Sequence, residues 1–105
     1  MSVTFYVDDE RNRAESAWLR LPAAWAGHLL FALAYEPQDR LRPCELRPED
    51  VLARIASVRR QIALGRGREF TSAEIGEPLL LLELAELERL AQRAVGSMGV
   101  AILIC

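Results

Sequence analysis

Residues 77 to 95 repeat apolar side chains at the i, i+4, i+7 spacing of a single helix face. The inner stripe consists of Leu80, Leu84, Leu87, Ala91 and Ala94. This spacing predicts a long helix that lies across a core. We expect the stripe to be widened by Leu79, Leu82, Leu90 and Val95, and the solvent side to carry Glu83, Glu86, Glu88, Arg89, Gln92 and Arg93.

Two strands are predicted near the two ends of the chain. Val3, Phe5 and Val7 alternate with more polar residues, which indicates a strand with one buried and one wetter face. Residues 100–104 contain no polar side chain. An uninterrupted apolar run of this length is typical of a strand covered on both faces, so we expect it inside the sheet.

The middle of the chain predicts two more helices and some irregular structure. Residues 23–35 are apolar except at Gly27 and His28, which favours a central helix buried on most sides. A second helix is expected to start at Pro48 and end at Gly65. Its predicted inner stripe is Val51, Ile55, Val58 and Ile62, its predicted ion pair is Asp50–Arg54, and a brief edge strand is expected at 44–46.

Two local patterns leave more room for interpretation. Thr71 and Glu74 have the spacing of a capping box, which predicts one short turn before the long helix begins near residue 77. Asp8 or Asp9 can cap a helix that runs through Ala14, Ala17, Trp18 and Leu21. A short strand at residues 18–21 is the alternative. We expect each tryptophan in the core more readily than on the surface.

Together these elements predict an α+β fold that forms one domain, residues 1–105. Three to four helices would pack on a small sheet that contains the N-terminal and C-terminal strands. A chain of 105 residues with 51% hydrophobic residues can bury a core without a disulfide or metal.

Charge and composition narrow the function classes. The formal net charge is −2 and every basic residue is arginine, so no overall field favours nucleic acid and lysine-based catalysis is excluded. No apolar run approaches the roughly 20 residues of a membrane span, and the start has no signal-type segment. We therefore expect a cytoplasmic protein in which Cys44 and Cys105 are reduced thiols, with a disulfide between them as the alternative.

The sequence contains no assembled set of catalytic, cofactor-binding or metal-binding residues. Asp8, Asp9 and Glu10 follow the first strand as the acidic cluster of a receiver domain does, but that family also needs a lysine, which this chain lacks. We interpret the three carboxylates as helix caps and, together with Arg66 and Arg68, as candidate partner-binding residues.

The segment Leu21-Pro-Ala-Ala-Trp-Ala-Gly-His-Leu-Leu-Phe-Ala-Leu33 resembles the YfbM-like family of small bacterial proteins. The helix start at 46–51, and the final helix, glycine-containing turn and strand, are similar to that family as well. The resemblance covers about two-thirds of the chain and implies an α+β domain. It supplies no catalytic residues to carry over.

Three functional hypotheses follow. The first is a non-catalytic protein-binding module, an immunity or antitoxin-like partner that covers a toxin. The second is a small enzyme or small-molecule binder with a cleft near His28, Tyr35 and Cys44. The third, homodimerisation through an exposed sheet edge, is compatible with either.

Overall fold

A computed structural model describes residues 2–7, 18–35, 44–95 and 100–104, and for Cys44 and residues 100–104 it describes the backbone only. The fold is α+β, as the sequence predicts. Its strands are β1 (Ser2–Val7), β2 (Trp18–Pro22), β3 (Cys44–Leu46) and β4 (Val100–Ile104), and its helices are α1 (Ala23–Ala32), α2 (Pro48–Gln61) and α3 (Glu77–Ala94).

The four strands form one antiparallel sheet in the order β2-β1-β4-β3. The predicted terminal strands are therefore neighbours, with Val3 opposite Ile104 and Val7 opposite Val100. Because β4 is paired on both sides, its backbone lies in the interior of the sheet, as expected for an apolar strand. The predicted short strand at 44–46 is confirmed and forms one edge.

Strand β1 separates the two faces of the sheet. Val3, Phe5 and Val7 are buried, whereas the intervening residues are half-buried. Helices α1 and α3 contact β1 and β2, and α2 packs along α3. The helices thus cover the face of Val3, Phe5 and Val7, because alternate side chains of a strand point to opposite sides.

Residues 18–21 form a strand, so the predicted helical reading of this stretch is wrong and its alternative is confirmed. Trp18 and Arg20 are exposed while Leu21 is buried, which is the period-2 pattern of an edge strand. The proposed caps at Asp8 and Asp9 lie outside the described residues, as does any structure between residues 8 and 17.

Helix α1 ends in a Schellman motif without glycine. The Tyr35 N–H donates to the Leu30 carbonyl at 3.1 Å, and the Ala34 N–H donates to the Phe31 carbonyl at 2.9 Å. This geometry requires a left-handed residue at position 34, and Ala34 has φ of +63°. Alanine pays a steric cost there that glycine would not. Most of the helix packs inward, although Phe31 is exposed.

Arg54 of α2 holds this helix end in place. Its Nη1 donates to the carbonyls of Leu33 at 3.0 Å and Ala34 at 2.9 Å, and its guanidinium lies 4.2 Å from the centre of the Tyr35 ring. Its Nε donates to Asp50 at 2.9 Å, which confirms the predicted pair. Arg54 thereby satisfies carbonyls that a helix C-terminus leaves without partners.

Helix α2 follows its prediction closely. Its buried residues include Val51, Ile55 and Val58, and Ile62 is half-buried just beyond its end. Gly65 ends the helical course with φ of +84° inside the irregular turn Ile62–Arg66, and a 3₁₀ segment, Gly67–Phe70, follows. Glycine suits position 65 because the left-handed region carries little steric cost for it.

The turn before α3 is stabilised differently from the predicted capping box. The Ile75 N–H donates to the Ser72 hydroxyl at 3.1 Å, and the Ser72 N–H donates to the Ile75 carbonyl at 2.9 Å. The Thr71 hydroxyl donates instead to the Arg68 carbonyl, and Glu74 is exposed. A short turn does precede the helix, but Ser72 provides the side-chain contact.

Helix α3 begins at Glu77, and its predicted inner stripe is buried throughout. Three predictions at its margins are wrong. Leu82 and Val95 are 59% and 52% exposed and do not widen the stripe, and Glu83, expected in solvent, is 3% exposed. Glu86 does pair with Arg89, and Glu88 pairs with Arg59 of α2.

Candidate functional site

The exposed face of the sheet carries an aromatic pair at its free edge. The β1–β2 register sets Tyr6 opposite Trp18 and Thr4 opposite Arg20. Trp18 is 65% exposed, which is unusual for the largest side chain and corrects the expectation that it lies in the core. We name Tyr6, Trp18 and Arg20 the aromatic strip.

The surroundings of the aromatic strip suit contact with another protein. Arg20 of β2 donates from Nε to the hydroxyl of Ser2 on β1 at 3.0 Å, which ties its side chain to the neighbouring strand. Among the described strands β2 is the last on its side of the sheet, so one row of its backbone groups has no neighbour in that part of the chain. Tryptophan, tyrosine and arginine are the residues most enriched among the energetically dominant contacts of protein interfaces.

The predicted partner-binding residues divide into two groups. Asp8, Asp9 and Glu10 follow β1 in sequence and lie outside the described residues. Arg66 and Arg68 are exposed at the end of α2, and Arg66 donates to Gln61 at 3.2 Å. Within the described ranges no hydrogen bond or ion pair joins these arginines to the aromatic strip, so the two surfaces are separate features.

The loop that contains Arg66 and Arg68 packs closely against α3. Gly67 is buried, and a Cβ at this position would lie 2.7 Å from the Glu77 carboxylate. Leu64, beside the loop, is 65% exposed. The backbone of the loop is thus anchored while its arginines and Leu64 reach solvent.

His28 and Tyr35, which the cleft hypothesis uses, both make contacts within the fold. His28 is half-buried, and its Nε2 lies 2.7 Å from the Phe70 carbonyl, so Nε2 carries the proton and donates. This bond ties α1 to the 3₁₀ segment. The Tyr35 hydroxyl donates to Asp50 at 3.1 Å. The structure describes only the backbone of Cys44.

An open depression of about 280 Å³ lies elsewhere, at the junction of β3 and α2. It is lined by Glu45, Leu46, Arg47, Pro48 and Glu49. Neither His28 nor Tyr35 borders it. Two glutamates and one arginine therefore supply its charged groups.

Glu83 of α3 is an ionisable residue buried in the apolar core. Neither of its carboxylate oxygens has a hydrogen-bond partner among the described residues, and burial raises the pKa of its carboxyl from 4.5 to about 7. The sequence does not predict the burial of Glu83, since a glutamate between Leu82 and Leu84 is typical of the polar margin of an amphipathic helix.

The described residues include neither a metal-binding cluster nor a membrane-spanning helix. Across residues 2–7, 18–35, 44–95 and 100–104 no group of three or more His, Cys, Asp or Glu residues is placed to hold a metal ion. No helix among the described residues has the length and hydropathy needed to cross a membrane.

Comparison of the chain with protein-family models, curated proteins and solved structures finds no significant match. The resemblance to the YfbM-like family therefore stays a prediction.

Proposed function

We propose that this protein is a non-catalytic protein-binding module, an immunity or antitoxin-like partner, and that the aromatic strip is its contact surface. The observation that carries the proposal is the exposure of Trp18 beside Tyr6 on an edge strand. Burying a tryptophan that already lies on a rigid sheet gains apolar contact at little entropic cost, which is how interface anchors act.

Two further observations support a binding role over a catalytic one. The polar groups of the cleft hypothesis, His28 and Tyr35, hold parts of the fold together. The free edge of β2 offers backbone donors and acceptors beside the aromatic strip, so a partner strand could add to the sheet while its side chains meet Trp18.

The test uses a photo-crosslinking amino acid in place of Trp18, with Leu82 as the matched control site. Leu82 is also a large exposed apolar residue, but it lies on α3. Both variants are expressed in the native host and the adducts are identified by mass spectrometry. We expect one dominant heterologous adduct at position 18 that is absent at position 82.

Affinity for the purified adduct partner then measures the contact. Trp18→Ala should raise Kd at least about tenfold, a loss of about 1.4 kcal/mol, whereas Leu82→Ala should change it less than about twofold. The partner's activity should be inhibited by the natural protein and not by Trp18→Ala. Thermal unfolding should be nearly unchanged in both variants, because both side chains are exposed.

Three outcomes would contradict the proposal. Equal adducts at the two positions would mean that the aromatic strip is not a specific surface. Equal affinities of the two alanine variants would mean the same. An adduct formed only with a second copy of the chain would assign the β2 edge to homodimerisation and remove the partner role.

A further inference from the structure

Glu83 lies within the apolar stripe of α3 rather than beside it. Leu80, Leu84, Leu87 and Leu90 surround its position along the helix, and all four are buried. Within the part of the chain that the structure describes, both Oε1 and Oε2 lack a hydrogen-bond partner. Buried polar groups almost always have partners, so an orphaned carboxyl in a core needs a physical explanation.

The charged groups of the elements packed around α3 are engaged elsewhere. On α2, Arg54 bonds Asp50 and Arg59 pairs with Glu88, while Glu49 and Arg60 are exposed. His28 of α1 bonds the Phe70 carbonyl. The remaining titratable side chains are Tyr6 and Arg20 on the opposite sheet face, Glu45 of β3, Arg68 and Glu69 of the 3₁₀ segment, and on α3 itself Glu77, Glu86, Arg89 and Arg93.

No cation within the described ranges therefore compensates a negative charge at Glu83. A carboxylate without such a partner is expensive to bury, by several kcal/mol, and a neutral acid is much less so. The free energy of unfolding of a domain of this size is about 5–15 kcal/mol. Ionisation of this one group is thus large enough to change how α3 packs.

We propose that Glu83 is a proton-operated latch: as a neutral acid it lets α3 dock on the sheet, and as a carboxylate it favours local opening of α3. Local opening costs less than unfolding the whole domain and brings the charge to water. The proposal is independent of the proposed partner role, because it concerns the protein alone.

The pH range follows from the direction of the shift. Burial raises the pKa of Glu83 from 4.5 to about 7, so the native state holds the proton that the unfolded state releases. The contribution of Glu83 to the docking of α3 is therefore fully present below about pH 4.5. It is lost as the pH rises through about 7.

Amide hydrogen exchange followed by NMR tests the latch on the purified protein. After correction for intrinsic exchange, the opening constant of α3 amides should rise by about 75-fold between pH 5 and pH 8.5, as the two pKa values of Glu83 imply. Amides of α2 should change much less. Glu83→Gln should abolish the pH dependence, and Glu86→Gln, which alters a half-buried glutamate on the same helix, should keep it.

A carbon-13 titration of the glutamate side chains supplies a second measurement that needs no variant. Glu83 should titrate well above the other glutamates. A Glu83 midpoint near 4.5 would overturn the proposal, as would unchanged pH dependence in Glu83→Gln. Equal loss of protection in α2 and α3 would also overturn it, because the destabilisation would then be global rather than a local opening. If Glu83→Gln fails to fold, Glu83→Leu provides the same comparison without a charge.

Discussion

Replacing Ala34 by glycine should stabilise the protein, although alanine-to-glycine changes in helices usually destabilise. Ala34 occupies the left-handed position of the Schellman motif with φ of +63°. An L-residue pays about 1–2 kcal/mol for that conformation, which glycine avoids. Glycine also gives the unfolded chain more freedom, which costs about 0.4–1 kcal/mol. The difference predicts a net gain of about 0.5–1 kcal/mol.

The matched control is Ala56→Gly. Ala56 is exposed within α2, so the chemical change is the same but the backbone is helical. This variant should lose about 1 kcal/mol. The two substitutions thus have opposite expected signs, and only the backbone conformation distinguishes them.

Urea unfolding followed by circular dichroism measures both variants. Ala34→Gly should raise the midpoint without changing the slope, and thermal unfolding should shift upwards by about 2–8 °C. The Arg54 contacts to the Leu33 and Ala34 carbonyls should persist, since they involve backbone atoms only. A loss of stability in Ala34→Gly comparable with that of Ala56→Gly would refute the left-handed assignment at this position.

Three further predictions, at the end of α1, in the turn before α3 and in the core, use the same unfolding assay. Arg54→Ala should cost about 2 kcal/mol because two helix-end carbonyls and Asp50 lose a charged donor, and Arg54→Lys should recover little because lysine lacks the forked geometry. Ser72→Ala should cost about 1 kcal/mol whereas Thr71→Ala should stay within about 0.5 kcal/mol, and the reverse order would restore the capping box. Leu84→Ala should cost about 3 kcal/mol as a cavity in a fully buried site, and a cost below about 1 kcal/mol would contradict its burial.

Periodicity predicted the α+β class, the long helix, the helix starting at Pro48 and the strands at both ends, because each has a pattern long enough to fix which side is buried. It failed at the margins of α3. Leu82 and Glu83 are adjacent, and the helix rotation that buries one exposes the other. Hydrophobicity alone favours burying the leucine. At about 100° per residue, however, Leu82 lies opposite the stripe of Leu80, Leu84 and Leu87, and Glu83 lies at the margin of that stripe.

The aromatic strip was missed for a related reason. The stretch around Trp18 is too short for its alternation to exclude a helix, and its pairing with β1 depends on residues distant in sequence. Once that register is known, Trp18 and Tyr6 fall on the face opposite to Phe5. The error in the turn before α3 is smaller. Ser72 makes the contact that was predicted for Thr71, and two neighbouring hydroxyl residues fit the same sequence pattern equally well.

The position of β4 has a consequence for the order in which the molecule is made. During synthesis β1 emerges first, and its partner on one side emerges about 100 residues later, because Val3 meets Ile104. Among the described strands, β3 pairs with β4 alone. The nascent chain therefore carries two incompletely paired strands until residues 100–104 leave the ribosome, and chains stalled before that point would be the aggregation-prone species.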